Sequence, residues 1–593
     1  MKQLYSILFV VAFSLNIGAQ INYHLPKVLF VTTGADAGRG TISDGIVSAL
    51  QSFNKNGVFV RLENRKILLE PKRLTAYDVM FIPTIAGYHD AGKKYGLTFM
   101  SDIELKNIND WIRNGGLLVT DVNIGRNNMD EKDRISDKKE LNANNWILGK
   151  ALGVTLREIN TENWQVIDTG MRIFKYPILN KNHKHHWRLV PVVTEKNTEI
   201  WALWQTETKT YPAITLHRYG KGKVLLLPDF YMLHPIEDGG LTTDNELQKI
   251  YNLIYQKALP DRKYPIDILP WKNAHTTVYC QTFDDGGNLK QYRRIFDFVN
   301  RNHLPTVFFV TPNIEPNIKN ELQKQKLISL QGHSYSHPDF RKLNYEQTYQ
   351  EFFKNGTYWN KQFTGFRFPY VSNSFWGMYW LEQLGFVYDT SIAANNMDFV
   401  RGSVVPYNIP IFKDDYYLTL NLLEISQIYH SDWFFYQKSL KNEIYTQTQQ
   451  QIDAQAFQTY LHQYFDQVVK PYNGVMVYLG HPMYAGYSEI TLQPLQNLIN
   501  YLKTQNVWFA SVNEVAKRWN LLRDLRIRIV ENNNYVNLKF DLPKRQILKA
   551  FSVVLPQKPV NIIAREPYQI KQVEGKYFLI MDIKSNTEVK LFF

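Results

Sequence analysis

An apolar run that ends in two adjacent carboxylates constrains the fold of this chain more than any other feature. His275–Gln281 is rich in β-branched and aromatic residues, and Asp284 and Asp285 are followed at once by Gly286 and Gly287. Such a run predicts a strand that ends in a turn. Because strand side chains alternate in direction, the two carboxylates are expected to serve different partners. One can bind a metal ion while the other stays free to move a proton.

A second polar cluster, from His333 to His337, places two histidines four residues apart. In a helical turn or a bend, this spacing puts both rings on one side of the chain. Two imidazoles and one carboxylate suit a catalytic zinc ion if a fourth position is left to water. Either cluster alone is more often structural, the Asp pair as a turn and the His pair as surface decoration. Their joint presence in a region of alternating strand and helix patterns favours a metal site.

Two later segments complete an ordered set of motifs. Gly365 to Tyr370 reads G-F-R-F-P-Y, and Val475 to Pro482 reads V-M-V-Y-L-G-H-P. With the first two clusters, the order T-F-D-D-G, H-S-Y-S-H, R-F-P-Y and L-G-H resembles the polysaccharide deacetylases, the NodB-homology group similar to carbohydrate esterase family 4. The resemblance covers about Tyr264 to Trp519 and includes neither flank of the chain.

This resemblance implies a division of work among the first motif residues. Asp285, His333 and His337 hold a divalent metal ion. Zinc is the default for such a set, and cobalt, nickel or iron fits similar ligands. Asp284 is the general base, which agrees with the alternation of strand side chains. Arg367 matches the residue that pairs with the base carboxylate and keeps it ionised.

The resemblance also implies contacts with the substrate. The backbone N–H of Tyr370 joins the metal in an oxyanion hole, and Leu479 lines a pocket for the acetyl methyl group. Trp376 is one of several aromatic residues near the motifs whose flat rings can stack on sugar faces, although such residues fill cores as well. Phe368 stands where the family pattern often has proline and predicts a reshaped wall of the site.

The proton donor comes from the last motif. His481 matches the general acid that protonates the leaving group, although a histidine at the end of an apolar run is also typical of a capped core residue. Two candidates stay open for the aspartate that orients this histidine. Asp389 follows a strand-like run, whereas Asp432 is followed by the expected tryptophan, Trp433.

The motifs together predict a metal-dependent hydrolase that removes acetyl groups from an N-acetylated glycan, such as a polysaccharide that contains N-acetylglucosamine. An O-acetyl polysaccharide esterase is the nearest alternative, because it uses the same site with a different leaving group. A non-catalytic glycan-binding protein is the alternative of another class. Such a protein has no need of two adjacent carboxylates, an arginine partner and a distal histidine.

The 593-residue chain is long enough for about three domains. Alternating strand-like and helix-like segments in residues 21–262 predict an α/β domain with a parallel sheet, similar to glutamine-amidotransferase-like or flavodoxin-like domains. The only cysteine is Cys280, expected to pack in a strand, so residues 21–262 lack an amidotransferase nucleophile. Residues 263–522 are predicted to form a distorted (β/α) barrel of about seven strands. The period-two pattern in residues 523–593 predicts a small antiparallel, sandwich-like β domain.

The first residues and the net charge bear on location and partners. Residues 1–20 combine a basic start, a short apolar stretch and small residues before Gln20, which is typical of a cleaved signal peptide. Export to the periplasm or the medium is therefore expected, and the apolar stretch is too short for a transmembrane anchor.

The formal net charge of +13 favours an anionic polymer or the cell envelope. Scattered solvated lysines explain it as well, because the sequence has no long basic run. Nucleic acid is therefore not predicted as a partner, and the sequence does not specify an oligomeric state.

Overall fold

The computed structural model describes residues 21–32, 37–38, 40–84, 97, 99–125, 127–128, 140–158, 164–179, 189–193, 195–234, 242–394, 400–413, 416–441, 445–543 and 545–593. The predicted signal peptide, residues 1–20, lies outside the described residues. Within the described ranges, no helix combines the length and the apolar character that crossing a membrane requires.

A nine-stranded mixed sheet forms the N-terminal part of the chain. Its parallel half has the order Gly222–Leu227, Leu117–Asp121, Val79–Ile82, Val28–Thr32 and Val60–Asn64. Its antiparallel half continues through Thr210–Tyr219, Thr198–Thr206, Trp164–Asp168 and Ile178–Leu179. Half of this sheet is thus parallel, as the alternating pattern predicts, and the antiparallel extension was not foreseen.

Helices cover both faces of the parallel half, as its apolar strands require. Alternate residues of the strand Val28–Thr32 belong to two separate cores, Val28 and Phe30 to one, Leu29 and Val31 to the other. The first core includes apolar residues of helices Asp44–Asn54 and Asp244–Ala258, and the second those of Asp102–Arg113.

Shorter helical segments of this part are Arg65–Leu69, Pro71–Leu74, Gly149–Leu152 and Phe230–Leu233. Its minor strands are Ala37–Gly38, Thr41–Ser43, Phe99–Met100, Asn127–Asn128, Glu140–Leu141, Val154–Glu158 and Leu189–Val193.

A curled sheet forms the middle of the chain, of the kind expected for a distorted barrel. Its parallel strands follow one another in the order Tyr416–Glu424, Tyr388–Asp389, Gly365–Phe366, Ile328–Gly332, Thr306–Val310, Thr277–Phe283 and Val475–Gly480. Tyr407–Lys413 adds an antiparallel edge, and Val507–Phe509 pairs with the start of Thr277–Phe283. A single bridge between Gln427 and Val477 joins the two ends of the parallel series.

Helices pack around this curled sheet between successive strands. Their bounds are Leu289–Asn302, Pro316–Lys324, Tyr345–Trp359, Phe375–Gln383, Asp432–Leu440, Gln447–Tyr464, Pro482–Ala485, Glu489–Lys503 and Val512–Asp524. Short helical turns are Lys272–Ala274, Phe340–Lys342, Pro369–Val371, Phe465–Val469 and Lys470–Tyr472. Since the strands run parallel, their carboxyl ends meet at one edge, where the motif residues follow them. Cys280 is fully buried within a strand, consistent with a packing role.

Two antiparallel sheets form the C-terminal part. One has the order Ile21–His24, Arg526–Glu531, Tyr535–Asp541, Thr587–Phe592 and Asn561–Ala564, and the other Asp267–Leu269, Leu548–Leu555, Lys576–Ile583 and Tyr568–Val573. The first strand of each sheet comes from an earlier region of the chain. The boundaries 21–262, 263–522 and 523–593 therefore stay predictions, because strands cross between these regions.

A further strand pair joins the N-terminal part to the curled sheet. Thr41–Ser43 pairs antiparallel with Val400–Arg401, and the Tyr407 hydroxyl donates to the Gly40 carbonyl at 2.9 Å. These contacts fix the N-terminal part against the strand that edges the curled sheet.

Candidate active site

Asp284 lies directly after the strand Thr277–Phe283 and is held on both its backbone and its side chain. Its N–H donates to the Gly480 carbonyl at 2.8 Å, and its Oδ1 accepts from Arg367 Nη1 at 2.8 Å. Arg367 is fully buried, and its Nε donates to the Thr390 carbonyl at 3.0 Å. Its guanidinium lies 4.4 Å from the centre of the Phe309 ring. The arginine is thus fixed from several directions, so it aims a permanent positive charge at Asp284.

Two opposing effects set the pKa of Asp284. Burial raises the pKa of this carboxyl, but the guanidinium of Arg367, with further contributions from the rings of His333 and His481, lowers it, and the net shift is downward. Asp284 is therefore ionised although only 6 % of it is exposed. An ionised carboxylate that is buried and aimed is the state that a general base requires.

Asp285, His333 and His337 come together, with ligand atoms that all lie within 4.8 Å of one another. His333 Nδ1 lies 2.7 Å from the Arg367 carbonyl, which is an acceptor only. Nδ1 therefore carries the ring proton, and Nε2 is left as a free lone pair that can bind a metal. Thr311 donates its hydroxyl to Asp285 Oδ2 and fixes the orientation of that carboxylate. The donor set and its outer partners fit a divalent cation.

The two histidines lie on a bend, not on a helix. Ser334 and His337 both have positive φ, at 75° and 58°. The bend is closed by His337 N–H, which donates to Ser334 Oγ at 3.1 Å. Glu351 accepts from the backbone N–H groups of Tyr335 and Ser336 at 2.9 and 2.8 Å. Of the two geometries that the four-residue spacing allowed, the chain adopts the bend, and the ring centroids of His333 and His337 are 5.1 Å apart.

His481 follows the strand Val475–Gly480, and Asp432 is its partner. Asp432 Oδ1 lies 2.8 Å from His481 Nδ1, and Oδ2 accepts the backbone N–H of His481 at 2.7 Å. Burial lowers the pKa of His481, but Asp432, Asp284 and Asp285 raise it, and the net shift is upward. The side chain keeps 22 % exposure, whereas that of Asp432 is fully buried. Asp432 thus orients the ring and favours its protonated form.

Asp389, the other candidate partner of His481, has a different environment. Both of its oxygens accept from Ser391, from the N–H at 3.0 Å and from the hydroxyl at 2.8 Å. It also shares a hydrogen bond with the carboxyl of Glu424, and both residues are fully buried. Two carboxyl groups share such a bond only if one is protonated. Burial raises the pKa of Asp389 to about 6 and that of Glu424 well above its usual range.

A backbone contact orients Glu424 within this pair. Its Oε1 accepts from the Ile392 N–H at 3.0 Å, while its buried Oε2 has no donor within reach in the described part of the chain. Asp389 and Glu424 are directly paired residues of neighbouring parallel strands. Asp389, through its bonds to Ser391, orders the turn at Thr390 and Ser391, and this turn accepts from Arg367 and from the Phe368 N–H.

The predicted substrate residues differ in their surroundings. Tyr370 has positive φ of 54°, is 68 % exposed, and its ring centre lies 4.6 Å from that of His337. Leu479 is 6 % exposed, in register with Thr282 on the neighbouring strand. Among the described contacts, the Trp376 ring packs on Tyr345 at 5.0 Å and none reaches the metal ligands. Substrate binding by Trp376 stays a prediction.

Phe368, which departs from the family pattern, is turned into an aromatic core. It is 1 % exposed and packs edge to face on Phe340, with ring centres 4.8 Å apart. Its effect on the site is therefore exerted through packing beneath the Tyr370 turn.

Sequence reasoning missed Thr311, Glu351 and Glu424, which hold other site residues in place. Thr311 directly follows a buried strand at the same sheet edge as Asp285. A polar residue at the end of an apolar strand is the signal that identifies it. Glu424 ends an apolar strand, and a lone acid in such a run is a signal of a special environment. Glu351 lies on the helix Tyr345–Trp359 and carries no local signal.

One comparison with known proteins identifies a family model within this part of the chain. Residues 272–388 match the family model described as polysaccharide deacetylase, a segment that contains the metal ligands, Asp284, Arg367 and Tyr370. Asp432, Leu479 and His481 lie beyond the matched segment. No curated protein matches the chain.

Three solved structures show the extent of the structural likeness. A Mycobacterium smegmatis protein assigned as a polysaccharide deacetylase is 17% identical, with a TM-score of 0.33, over 42% of this chain and 91% of that one. A family 4 carbohydrate esterase from Streptomyces lividans in complex with acetate is 14% identical, with a TM-score of 0.26, over 40% of this chain and 94% of that one. A structure described as PuuE allantoinase is 14% identical, with a TM-score of 0.32, over 42% of this chain and 93% of that one. TM-scores this low carry no argument about activity. The family match shows that the chain carries a polysaccharide deacetylase domain, recognised over residues 272–388.

Proposed function

We propose that this chain is a metal-dependent hydrolase that removes acetyl groups from an N-acetylated glycan, with a polysaccharide that contains N-acetylglucosamine as the favoured substrate. The proposal depends above all on one arrangement. An arginine-paired carboxylate, an aspartate-paired histidine and a set of three metal ligands lie together at the carboxyl edge of the curled sheet.

Asp285, His333 and His337 would hold the cation, with the ring tautomer of His333 and the bond from Thr311 to Asp285 already set for it. A divalent cation bound there polarises the acetyl carbonyl and lowers the pKa of a water molecule, which makes water a competent nucleophile near neutral pH. Zinc is the first choice for this donor set, and cobalt, nickel or iron is compatible with it.

Asp284 is proposed to take the proton from the attacking water. Its carboxylate is ionised and aimed by Arg367, and it does not belong to the cluster of ligand atoms. The Oδ2 atom, the oxygen that Arg367 does not hold, is 3.9 Å from His333 Nε2. This places the free oxygen beside the metal set, where a water proton is within its reach.

His481 is proposed to donate a proton to the leaving nitrogen, while the Tyr370 N–H supports the carbonyl oxygen. Asp432 holds the ring by Nδ1, so Nε2 is the nitrogen that faces the reaction. An amine leaves only when it is protonated, whereas an alkoxide needs less help from an acid. The upward pKa shift of His481 keeps its proton available for such a leaving group. Leu479, beside these residues, suits the apolar methyl of the acetyl group.

We also propose that the chain is exported from the cytoplasm. Export follows from the signal-peptide pattern of residues 1–20 and suits an enzyme that acts on an envelope or extracellular polysaccharide.

Acetate release tests this function directly. The metal-loaded protein is incubated with N-acetylglucosamine oligomers and, separately, with acetylated xylan, each with and without a chelator. Acetate from the first substrate that stops with the chelator supports the proposal. Acetate from xylan alone indicates the O-acetyl esterase, and no acetate from either after addition of zinc indicates a glycan-binding protein.

A further inference from the structure

A large cavity lies where the three parts of the chain meet, away from the metal ligands. Its volume is about 910 Å³, and its walls come from the N-terminal edge strand around Phe59, from the end of helix Val512–Asp524, and from strand Arg526–Glu531. Phe59 and Trp519 stack edge to face at its base, with ring centres 4.8 Å apart. A cavity of several hundred cubic ångströms is the size at which proteins bind small molecules.

The wall of this cavity is strongly basic. Seven lysine and arginine side chains line it, against the carboxylates of Glu63 and Asp524. Glu63 is already engaged by Arg61 at 3.1 Å and by Arg73 at 3.0 Å. Asp524 lies 3.6 Å from Arg523. The two carboxylates therefore neutralise only part of the positive charge in the wall.

Three cations of the wall have no carboxylate within 4.0 Å in the described part of the chain, namely Lys27, Arg526 and Arg528. Arg526 and Arg528 alternate with buried Ile527 and Ile529, so both project from the outer face of the strand. Lys27 follows the strand Ile21–His24, which pairs with Arg526–Glu531. Burial lowers the pKa of Lys27 and the charge of Arg526 lowers it further, while Asp78 and Asp524 act in the opposite direction. Cations without a close carboxylate thus come from two neighbouring segments of the cavity wall.

The strand register sets like charges against each other. Arg528 is directly opposite Lys539 on one neighbouring strand and His24 on the other. Like charges in directly opposed positions destabilise an antiparallel sheet. Of this row, Lys539 has a carboxylate partner, Glu588 at 3.3 Å, and His24 is bonded to Asp78 at 2.9 Å. Arg528 remains as the cation in the middle, and an anion in the cavity would offset this repulsion.

We propose that the cavity binds an anionic ligand through Lys27, Arg526 and Arg528, and that the ligand bears a carboxylate, sulfate or phosphate group. Two sources carry such a group: an acidic sugar of a glycan chain and a free inorganic anion. The cavity volume and the aromatic base formed by Phe59 and Trp519 favour a sugar-sized ligand. This site is independent of the proposed deacetylase function, because it shares no residue with the metal set.

Calorimetric titration of the full chain with oligogalacturonate and with inorganic phosphate tests the site. A neutral galactose oligomer of the same length is the uncharged probe and should not bind. We expect oligogalacturonate to bind, with an affinity that falls as salt rises. The double substitution Arg526→Gln with Arg528→Gln should weaken this binding about tenfold or more, since bonds to charged groups of this kind are worth that much. Lys27→Gln, on the neighbouring segment, should weaken it as well.

The matched control removes two charges from the same part of the chain but outside the cavity, through Arg565→Gln with Lys576→Gln. The affinity of this control variant for oligogalacturonate should stay within about twofold of that of the native protein, because isolated surface charges have small effects. The cavity variants should unfold at the native temperature or above it, because they remove like-charge repulsion. Tighter binding of oligogalacturonate than phosphate identifies an acidic glycan, and the reverse a free anion. No binding of either probe at low salt, or equal loss in the control, overturns the proposal.

Discussion

Arg367 borders two buried carboxylate sites that have opposite protonation. Asp284 receives a direct bond from Nη1 at 2.8 Å and is ionised. Asp389 and Glu424 receive no direct bond from the guanidinium and share one proton instead. Burial acts in the same direction on all three carboxyls. The difference teaches that the position of one buried arginine, and not the degree of burial, decides which carboxylate is available as a base.

Asp284→Asn is the substitution with the largest expected effect on this comparison. The amide keeps the shape and a bond to Arg367 but cannot accept a water proton. Turnover should fall by about 10⁴-fold, the upper range for loss of a general base. Acetate release from an N-acetylglucosamine oligomer measures this fall. Turnover within tenfold of the native protein would assign the base elsewhere.

Asp432→Asn removes the partner of the acid and should have the next largest effect. The charge that raises the pKa of His481 is lost, so the histidine loses its proton at lower pH. We expect a rate about 10²-fold lower and an alkaline limb of the kcat profile that moves to lower pH. Asp453→Asn, a surface-helix change on Gln447–Tyr464, is the control and should leave the profile unchanged. An unshifted alkaline limb in Asp432→Asn would contradict the assigned pairing.

Arg367→Lys tests whether the guanidinium shape matters or only its charge. Lysine keeps a positive charge but cannot bond Asp284 and the Thr390 carbonyl together. We expect about a tenfold to 10²-fold loss of kcat with a folded protein, since charge remains and aim is lost. A native kcat would show that the second bond has no part in positioning the base.

Glu424→Gln should have the smallest effect on activity, because the amide replaces a carboxyl that is already protonated. The pKa values of Asp389 and Glu424 are raised on folding, so the pair contributes stability below about pH 4 that is lost as pH rises through about 6. In the variant this loss should be smaller between pH 4 and pH 7. Thermal unfolding across that range measures it, with Glu346→Gln, an exposed acid of the helix Tyr345–Trp359, as the control. A native pH dependence in Glu424→Gln would refute the shared proton.

The sequence predicted the parts of the site that are local in the chain. Strand alternation, a short-range rule, predicts different partners for Asp284 and Asp285, and the four-residue spacing predicts that His333 and His337 share one side of a helical turn or a bend. Arg367 was recognised through its motif. The curled sheet and its carboxyl edge followed from the alternating pattern of apolar strands and amphipathic helices.

What the sequence left open depends on which strands and loops become neighbours. The choice between Asp389 and Asp432 required knowing that helix Asp432–Leu440 begins beside the strand that leads to His481. The proton shared by Asp389 and Glu424 needs two strands in parallel register. Trp376 fits equally well into a sugar site and into an aromatic core, and composition does not separate these roles.

Metal content measured beside acetate release tests the central claim most directly, that Asp285 binds the metal and Asp284 moves the proton. Purified Asp284→Asn and His337→Ala are loaded with zinc, and bound metal per chain is determined together with turnover. We predict that Asp284→Asn keeps native metal content without turnover, and that His337→Ala loses the metal. Equal loss of metal in both variants would contradict the division between the two carboxylates.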